Sequence, residues 1–175
     1  LALEVLGVLA EEQNRHAEAL DLYRRALEID PRRQNSQYNL GNLHLERDEP
    51  ATAADRYRKA LALRPDHLMS LVNLSMAEAR LGRLDQAEAA LREALRVQPL
   101  EASAHFNLGL LLAERQRPAE AQASLRRALK LDPRNPTAAY NLAALVAPAS
   151  PKEAAGLAGR AADLASQDPR YAFTQ

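Results

Sequence analysis

The stretch Tyr38-Asn39-Leu40-Gly41 returns 34 residues later as Val72-Asn73-Leu74-Ser75, then as Phe106-Asn107-Leu108-Gly109, and then as Tyr140-Asn141-Leu142-Ala143. A stretch reused at constant spacing marks a repeat array, in which each unit buries its apolar face only against its neighbours. Such an array is usually a binding scaffold. The rest of the sequence then has to show how each unit folds and what the array presents.

Pro31, Pro65, Pro99 and Pro133 share the 34-residue spacing and close each unit, because proline lacks the amide that would continue a helix. Two helical patterns lie between successive prolines. In the first unit Leu3, Leu6, Gly7 and Ala10 line one helix face, and after a break near Asn14, Ala19, Tyr23, Ala26 and Leu27 line a second. The break is short, so the two helices pack as an antiparallel hairpin. Small residues recur in step: Ala19, Ala53, Ala87 and Ala121; Ala26, Ala60, Ala94 and Ala128; and Gly7, Gly41, Ser75, Gly109 and Ala143. They let the helices approach closely, while Tyr23, Tyr57, Leu91 and Leu125 fill the space beside them. Leucine at position 41 or 53 is expected to overpack the hairpin at a cost of about 1–3 kcal/mol. An Ala/Leu/Glu/Arg-rich composition with 4% aromatics agrees with an all-helical chain.

The Leu-Gly pair, the first Ala, the Tyr or Leu, the second Ala and the closing Pro together resemble the tetratricopeptide repeat (TPR) family over nearly the whole chain. The family's first-helix Trp is replaced by Leu3, Gln37, Leu71 and His105. The resemblance implies an all-α, right-handed α-solenoid of about five helix-turn-helix repeats in a single domain. Their expected bounds are 1–33, 34–67, 68–101, 102–135 and 136–169, with 170–175 beginning a sixth copy at Tyr171-Ala172-Phe173. The fifth copy is one residue short, and its inter-helix loop is expected to carry the deletion at Pro148-Ala149-Ser150-Pro151. Pro151 takes the helix-start position of Pro50 and Pro118, and Ser150 with Glu153 is expected to form a capping box. Asp168-Pro169 is expected to close the last helix.

The sequence offers little chemistry. With 23 basic and 23 acidic residues the formal charge is zero, which argues against nucleic acid or an anionic membrane as the main partner. No apolar run reaches the roughly 18 residues of a membrane span. There is no cysteine, so disulfides and thiolate metal sites are excluded. His16, His44, His67 and His105 have no metal-binding spacing, and His44 and His105 stand where the repeat packs aromatic residues. No glycine-rich phosphate loop appears, and the carboxylates are expected to be mostly solvated. Basic residues of the second helices, such as Arg25, Arg58, Lys59, Arg92 and Arg126, read as dipole-favoured surface charge. No catalysis, metal or cofactor is expected. The chain opens on Leu1 inside a helical pattern, which reads as a piece of a longer protein, so the compartment stays open with the cytoplasm favoured.

By resemblance, four positions of each first helix face a concave groove. These are Leu1, Glu4, Val5 and Val8; Asn35, Tyr38, Asn39 and Asn42; Met69, Val72, Asn73 and Met76; Ser103, Phe106, Asn107 and Leu110; and Thr137, Tyr140, Asn141 and Ala144. A file of Asn39, Asn73, Asn107 and Asn141 thus runs beside Tyr38, Val72, Phe106 and Tyr140. Each carboxamide offers a donor and an acceptor, as a peptide backbone requires, and Met69 and Met76 are adaptable apolar contacts. The file resembles the asparagine ladder of the O-GlcNAc transferase superhelix, although Asn-Leu-Gly is also frequent in TPR sequences generally. The basic clamp of chaperone-binding TPR domains is missing, since Glu4, Val8, Asn39 and Ser103 stand at its positions. The expected partner is a protein or peptide, held by Tyr38, Asn39, Asn42, Met69, Asn73, Met76, Phe106, Asn107, Tyr140 and Asn141. Two other roles fit the same sequence: a substrate-recruiting arm of a larger enzyme such as a glycosyltransferase, and a solenoid that assembles through its end repeats.

Overall fold

In a computed structural model, which describes residues 1–167, the chain is all-α: α1 (Ala2–Glu12), α2 (His16–Ile29), α3 (Gln34–Glu46), α4 (Pro50–Leu63), α5 (Leu68–Arg80), α6 (Leu84–Val97), α7 (Ala102–Glu114), α8 (Pro118–Leu131), α9 (Pro136–Val146) and α10 (Pro151–Gln167). Successive helices pair as hairpins, α1 with α2 through to α9 with α10. Two compact units result, Leu1–Val97 with three hairpins, and a second from Gln98 onward with two. The expected closing turn at Asp168-Pro169 and the Tyr171-Ala172-Phe173 segment lie outside the described residues.

The repeated small residues are where the helices meet. A Cβ on Gly7 would stand 2.5 Å from the Tyr23 ring, one on Gly41 2.5 Å from the Tyr57 ring, and one on Gly109 2.7 Å from Leu125 Cγ. Ala19, Ala53, Ala60, Ala87, Ala94 and Ala121 are fully buried. Glycine faces tyrosine in two copies and Leu125 in a third, and the same spacing sets Ser75 against Leu91.

Four of the hairpin turns share one device. Asn14, Asp48, Gly82 and Gln116, again 34 apart, hold φ of 57°, 57°, 71° and 58°. Around Asn14, the Arg15 amide donates to Ala10 O and the Asn14 amide to Glu11 O, each at 2.8 Å. This is a Schellman closure, in which a left-handed residue lets two amides satisfy the last helical carbonyls. The same pair of bonds recurs at Asp48, Gly82 and Gln116.

The fifth hairpin corrects two expectations. Its deletion falls on the first helix rather than the loop: α9 has 11 residues where α3 has 13. Pro148 carries no amide to bond back to Ala144, so the ladder stops at Val146. The Ser150–Glu153 capping box is replaced by other partners. The Ser150 amide, which the box would use, donates to Val146 O at 2.8 Å. Glu153 instead accepts from Arg126 Nη2 at 2.6 Å.

The charged surface is paired rather than a uniform basic stripe. Lys59 Nζ lies 2.8 Å from Asp55, Arg92 2.7 Å from Glu88, and Arg96 2.7 Å from Glu93. Glu78 departs from the expectation of solvated carboxylates: it is buried, between Arg58 and Arg83. Such cations offset the cost of taking a carboxylate out of water.

Candidate functional site

In the first unit, the expected contact residues lie on α3 and α5, and several hold each other. Asn42 Oδ1 accepts from Tyr57 Oη at 2.9 Å and from Asn73 Nδ2 at 2.9 Å. Asn73 Nδ2 also donates to Tyr38 Oη at 3.4 Å. The Asn73 side-chain nitrogen thus ties α5 to α3 through both bonds. Tyr38 is half-buried, its ring 6.1 Å from that of Tyr57 and edge-on to His67 at 5.0 Å. Asn39 is half-buried beside the Tyr23 hydroxyl. Burial pushes both the Tyr23 and Tyr57 phenols above their usual range, so both remain neutral donors.

The apolar members stand open. Met69 is 46% exposed and Met76 38%. Met76 borders a recess of about 260 Å³ lined also by Asn42, Leu45, Glu46, Tyr57, Asn73 and Arg80. Arg80 is a wall residue that the groove positions did not include. It donates to Leu45 O at 3.0 Å and lies 3.6 Å from Asp48. Its signal was in the sequence, because Glu12, Glu46 and Glu114 carry the opposite charge at the same repeat position. Val72, expected in the wall, is instead buried, as an apolar side chain favours.

In the second unit, Tyr140 of α9 is 65% exposed. Asn141 Nδ2 donates to Thr137 O of its own helix at 2.8 Å. Here Leu125 occupies the position of Tyr23 and Tyr57, so no phenol is present to engage it. Phe106 is half-buried against the cluster of Leu125, Leu129, Ala138 and Leu142, and Asn107 is half-buried.

The two histidines expected to pack differ. His44 is buried, with Nδ1 2.6 Å from Glu49 Oε2, and that bond holds the Glu49 carboxyl below its usual range. His105 is half-exposed and donates through Nε2 to Pro99 O at 3.0 Å. Among the described residues no cluster of His, Cys, Asp and Glu could hold a metal ion. No described helix is long and apolar enough to cross a membrane. The expected contact residues of each unit thus combine exposed apolar side chains with hydrogen-bonding groups.

Comparison with known proteins bears on the fold as a whole. A family model described as the Cilia and flagella-associated protein 70 middle TPR-like domain matches residues 3–113, and the Tetratricopeptide repeat model matches residues 102–135. No curated protein sequence matches the chain. Among solved structures, Pseudomonas aeruginosa pilF aligns with a TM-score of 0.86 at 26% identity, over 97% of this chain and 78% of that one. TTC0263, a thermophilic TPR protein of Thermus thermophilus, aligns with a TM-score of 0.76 at 29% identity, over 98% and 96%. YrrB, described as a TPR protein with an unusual peptide-binding site, aligns with a TM-score of 0.76 at 23% identity, over 98% and 88%. With its five hairpins, its 34-residue period and these matches, the chain belongs to the tetratricopeptide-repeat family, all-α solenoid proteins that generally mediate protein–protein interaction.

Proposed function

We propose that this chain is a non-catalytic scaffold that holds an extended peptide segment of a partner along its first-helix face. The observation that carries this reading is the exposure of Met69, Met76 and Tyr140. Full burial of a Met side chain brings about 1.5–3 kcal/mol, and a partner's apolar side chains would recover the share that Met69 and Met76 leave in water. The polar groups beside them suit a backbone: the Asn73 carbonyl oxygen is an acceptor for a peptide N–H, and Arg80 borders the recess where a side chain would sit. In the first unit Asn39 adds a further carboxamide, with Tyr38 and Asn42 on the same helix, and in the second unit Phe106, Asn107, Tyr140 and Asn141 stand at the matching repeat positions. The description of YrrB supports the reading to the extent that a protein of this fold presents a peptide site.

The test is selection of peptides from a random display library on the 175-residue chain, followed by fluorescence polarisation with the selected sequences. Met69→Glu with Met76→Glu should weaken first-unit ligands at least tenfold, and Tyr140→Ala should weaken ligands of the second unit. These side chains are exposed, so circular dichroism should stay unchanged. Ligands that bind all variants as tightly as the parent would sink the reading.

A further inference from the structure

The recess bordered by Met76 lies where two first helices of the first unit end together. Glu46 is the last residue of α3 and Arg80 the last of α5, and both line it. A helix C-terminus carries partial negative charge and favours a cation. The apolar walls of the recess are Leu45, Tyr57 and Met76. It thus combines an apolar lining with a charged rim, and the sign of that rim decides what it can hold.

The two rim charges are not equally engaged. Arg80 Nη1 donates to Leu45 O at 3.0 Å and lies 3.6 Å from Asp48, so its charge already meets a helix-end carbonyl and a carboxylate. The Glu46 side chain is 63% exposed, and its ionic neighbour among the described residues is His16 Nδ1 at 3.6 Å, which is charged only when protonated. A second carboxyl stands near it: Glu11 is raised above its usual range first by burial and also by the charge of Glu46. Burial raises the Tyr57 phenol, and there Glu46 pushes further up while Arg80 pulls down, so both charges act at the wall of the recess. Glu46 and two helix ends outweigh an arginine that is already paired, and the unmet charge is negative.

We propose that this recess seats a basic side chain, arginine or lysine, of the bound segment, with Glu46 as the residue that sets the preference. This rests on the peptide-binding reading of the same face and adds the charge of the partner to it. Arginine and lysine both carry a cationic head on an apolar stem that can lie along apolar surface. The stem lies on Leu45 and Met76, and the head meets the Glu46 carboxylate at the end of α3. An arginine head can do so through two parallel bonds. An acidic side chain in the same place would face Glu46 and two helix C-termini, and an uncharged one would leave Glu46 unanswered.

Peptides selected from a random display library on the 175-residue chain test this, with Glu46→Gln, Glu46→Arg and Arg80→Gln beside the parent and circular dichroism to show that each folds. Ligands of the first unit are those that Met69→Glu with Met76→Glu weakens. They should carry arginine or lysine at a fixed distance from their apolar residues. In fluorescence polarisation, replacing that residue by norleucine, which keeps an apolar stem without the charge, should weaken binding about tenfold at low salt. Glu46→Gln should weaken the basic peptide by the same factor and leave the norleucine peptide unchanged. Selection repeated on Glu46→Arg should return acidic residues at that place. First-unit ligands with no basic residue, or with one whose replacement costs the same in the parent and in Glu46→Gln, overturn the proposal and leave the peptide-binding reading standing. Ligands that carry an acid there and lose affinity in Arg80→Gln also overturn it. A selection whose peptides are all indifferent to Met69 and Met76 overturns it together with the peptide-binding reading. Self-association in sedimentation that Glu46→Gln abolishes would give the recess to a second copy and equally overturn it.

Discussion

Gly41→Ala tests the packing argument most directly. The added Cβ would stand 2.5, 2.7 and 2.9 Å from Tyr57 Cε1, Cδ1 and Cζ. Tyr57 has little room to withdraw: it is fully buried, stacks near Tyr38, and donates to Asn42 at 2.9 Å. Overpacking of this kind costs about 1–3 kcal/mol, and displacing the tyrosine hydroxyl forfeits about 1 kcal/mol more. Alanine's better helix propensity returns about 1 kcal/mol. The net loss is therefore about 1–3 kcal/mol, a fall of roughly 3–10 °C in melting temperature for a chain of this length. Far-UV circular dichroism melting of four proteins reads it: the parent, Gly41→Ala, Tyr57→Leu and the double variant. A leucine lacks the hydroxyl bond that holds Tyr57 to Asn42, so it can withdraw where the ring cannot, and Gly41→Ala should be milder in the Tyr57→Leu background. A Gly41→Ala protein that melts no lower than the parent refutes the reasoning. Equal costs in both backgrounds would show that the tyrosine ring is not the obstacle.

Two other glycines have open space where a Cβ would go, so only backbone angle separates them. Gly82→Ala should lower stability by about 1 kcal/mol because its φ is +71°, whereas Gly156→Ala in α10 should raise it by about 0.5–1 kcal/mol; paired urea titrations compare them. His67 should make stability pH-dependent. Its Nδ1 accepts the Ser70 amide at 3.3 Å at the start of α5, and burial, with Arg64 nearby, lowers its pKa. The folded state thus prefers the neutral ring, so this contribution is fully present above the unfolded value of about 6.5 and is lost as pH falls through the lowered folded value. His67→Asn keeps a capping acceptor without titrating, and its melting temperature should fall less between neutral and mildly acidic buffer than the parent's. An equal fall in both proteins would remove His67 as the cause.

Much of the fold was legible because its determinants repeat. The pairing of Gly41 with Tyr57 and of Gly109 with Leu125 follows from a size pattern at fixed spacing. The left-handed turn residues were not legible: Asn14, Asp48, Gly82 and Gln116 share a conformation but not a residue type, and only Gly82 advertises it. In the fifth hairpin the missing residue could be counted but not placed, because the position of the helix end depends on which amide Pro148 removes.

The candidate face divides the same way. Sequence alone determined the hairpin architecture and brought Tyr38, Asn39, Asn42, Met69, Asn73 and Met76 onto first helices at one recurring set of positions. Both are periodic properties that each copy states for itself. Tertiary structure alone decided that Val72 turns inward while Met69 and Met76 stay in water, that Asn73 binds Asn42 and Tyr38, and that Arg80 borders their recess. Burial and hydrogen-bond partnership belong to the surface between neighbouring copies, and no single copy contains both sides of it.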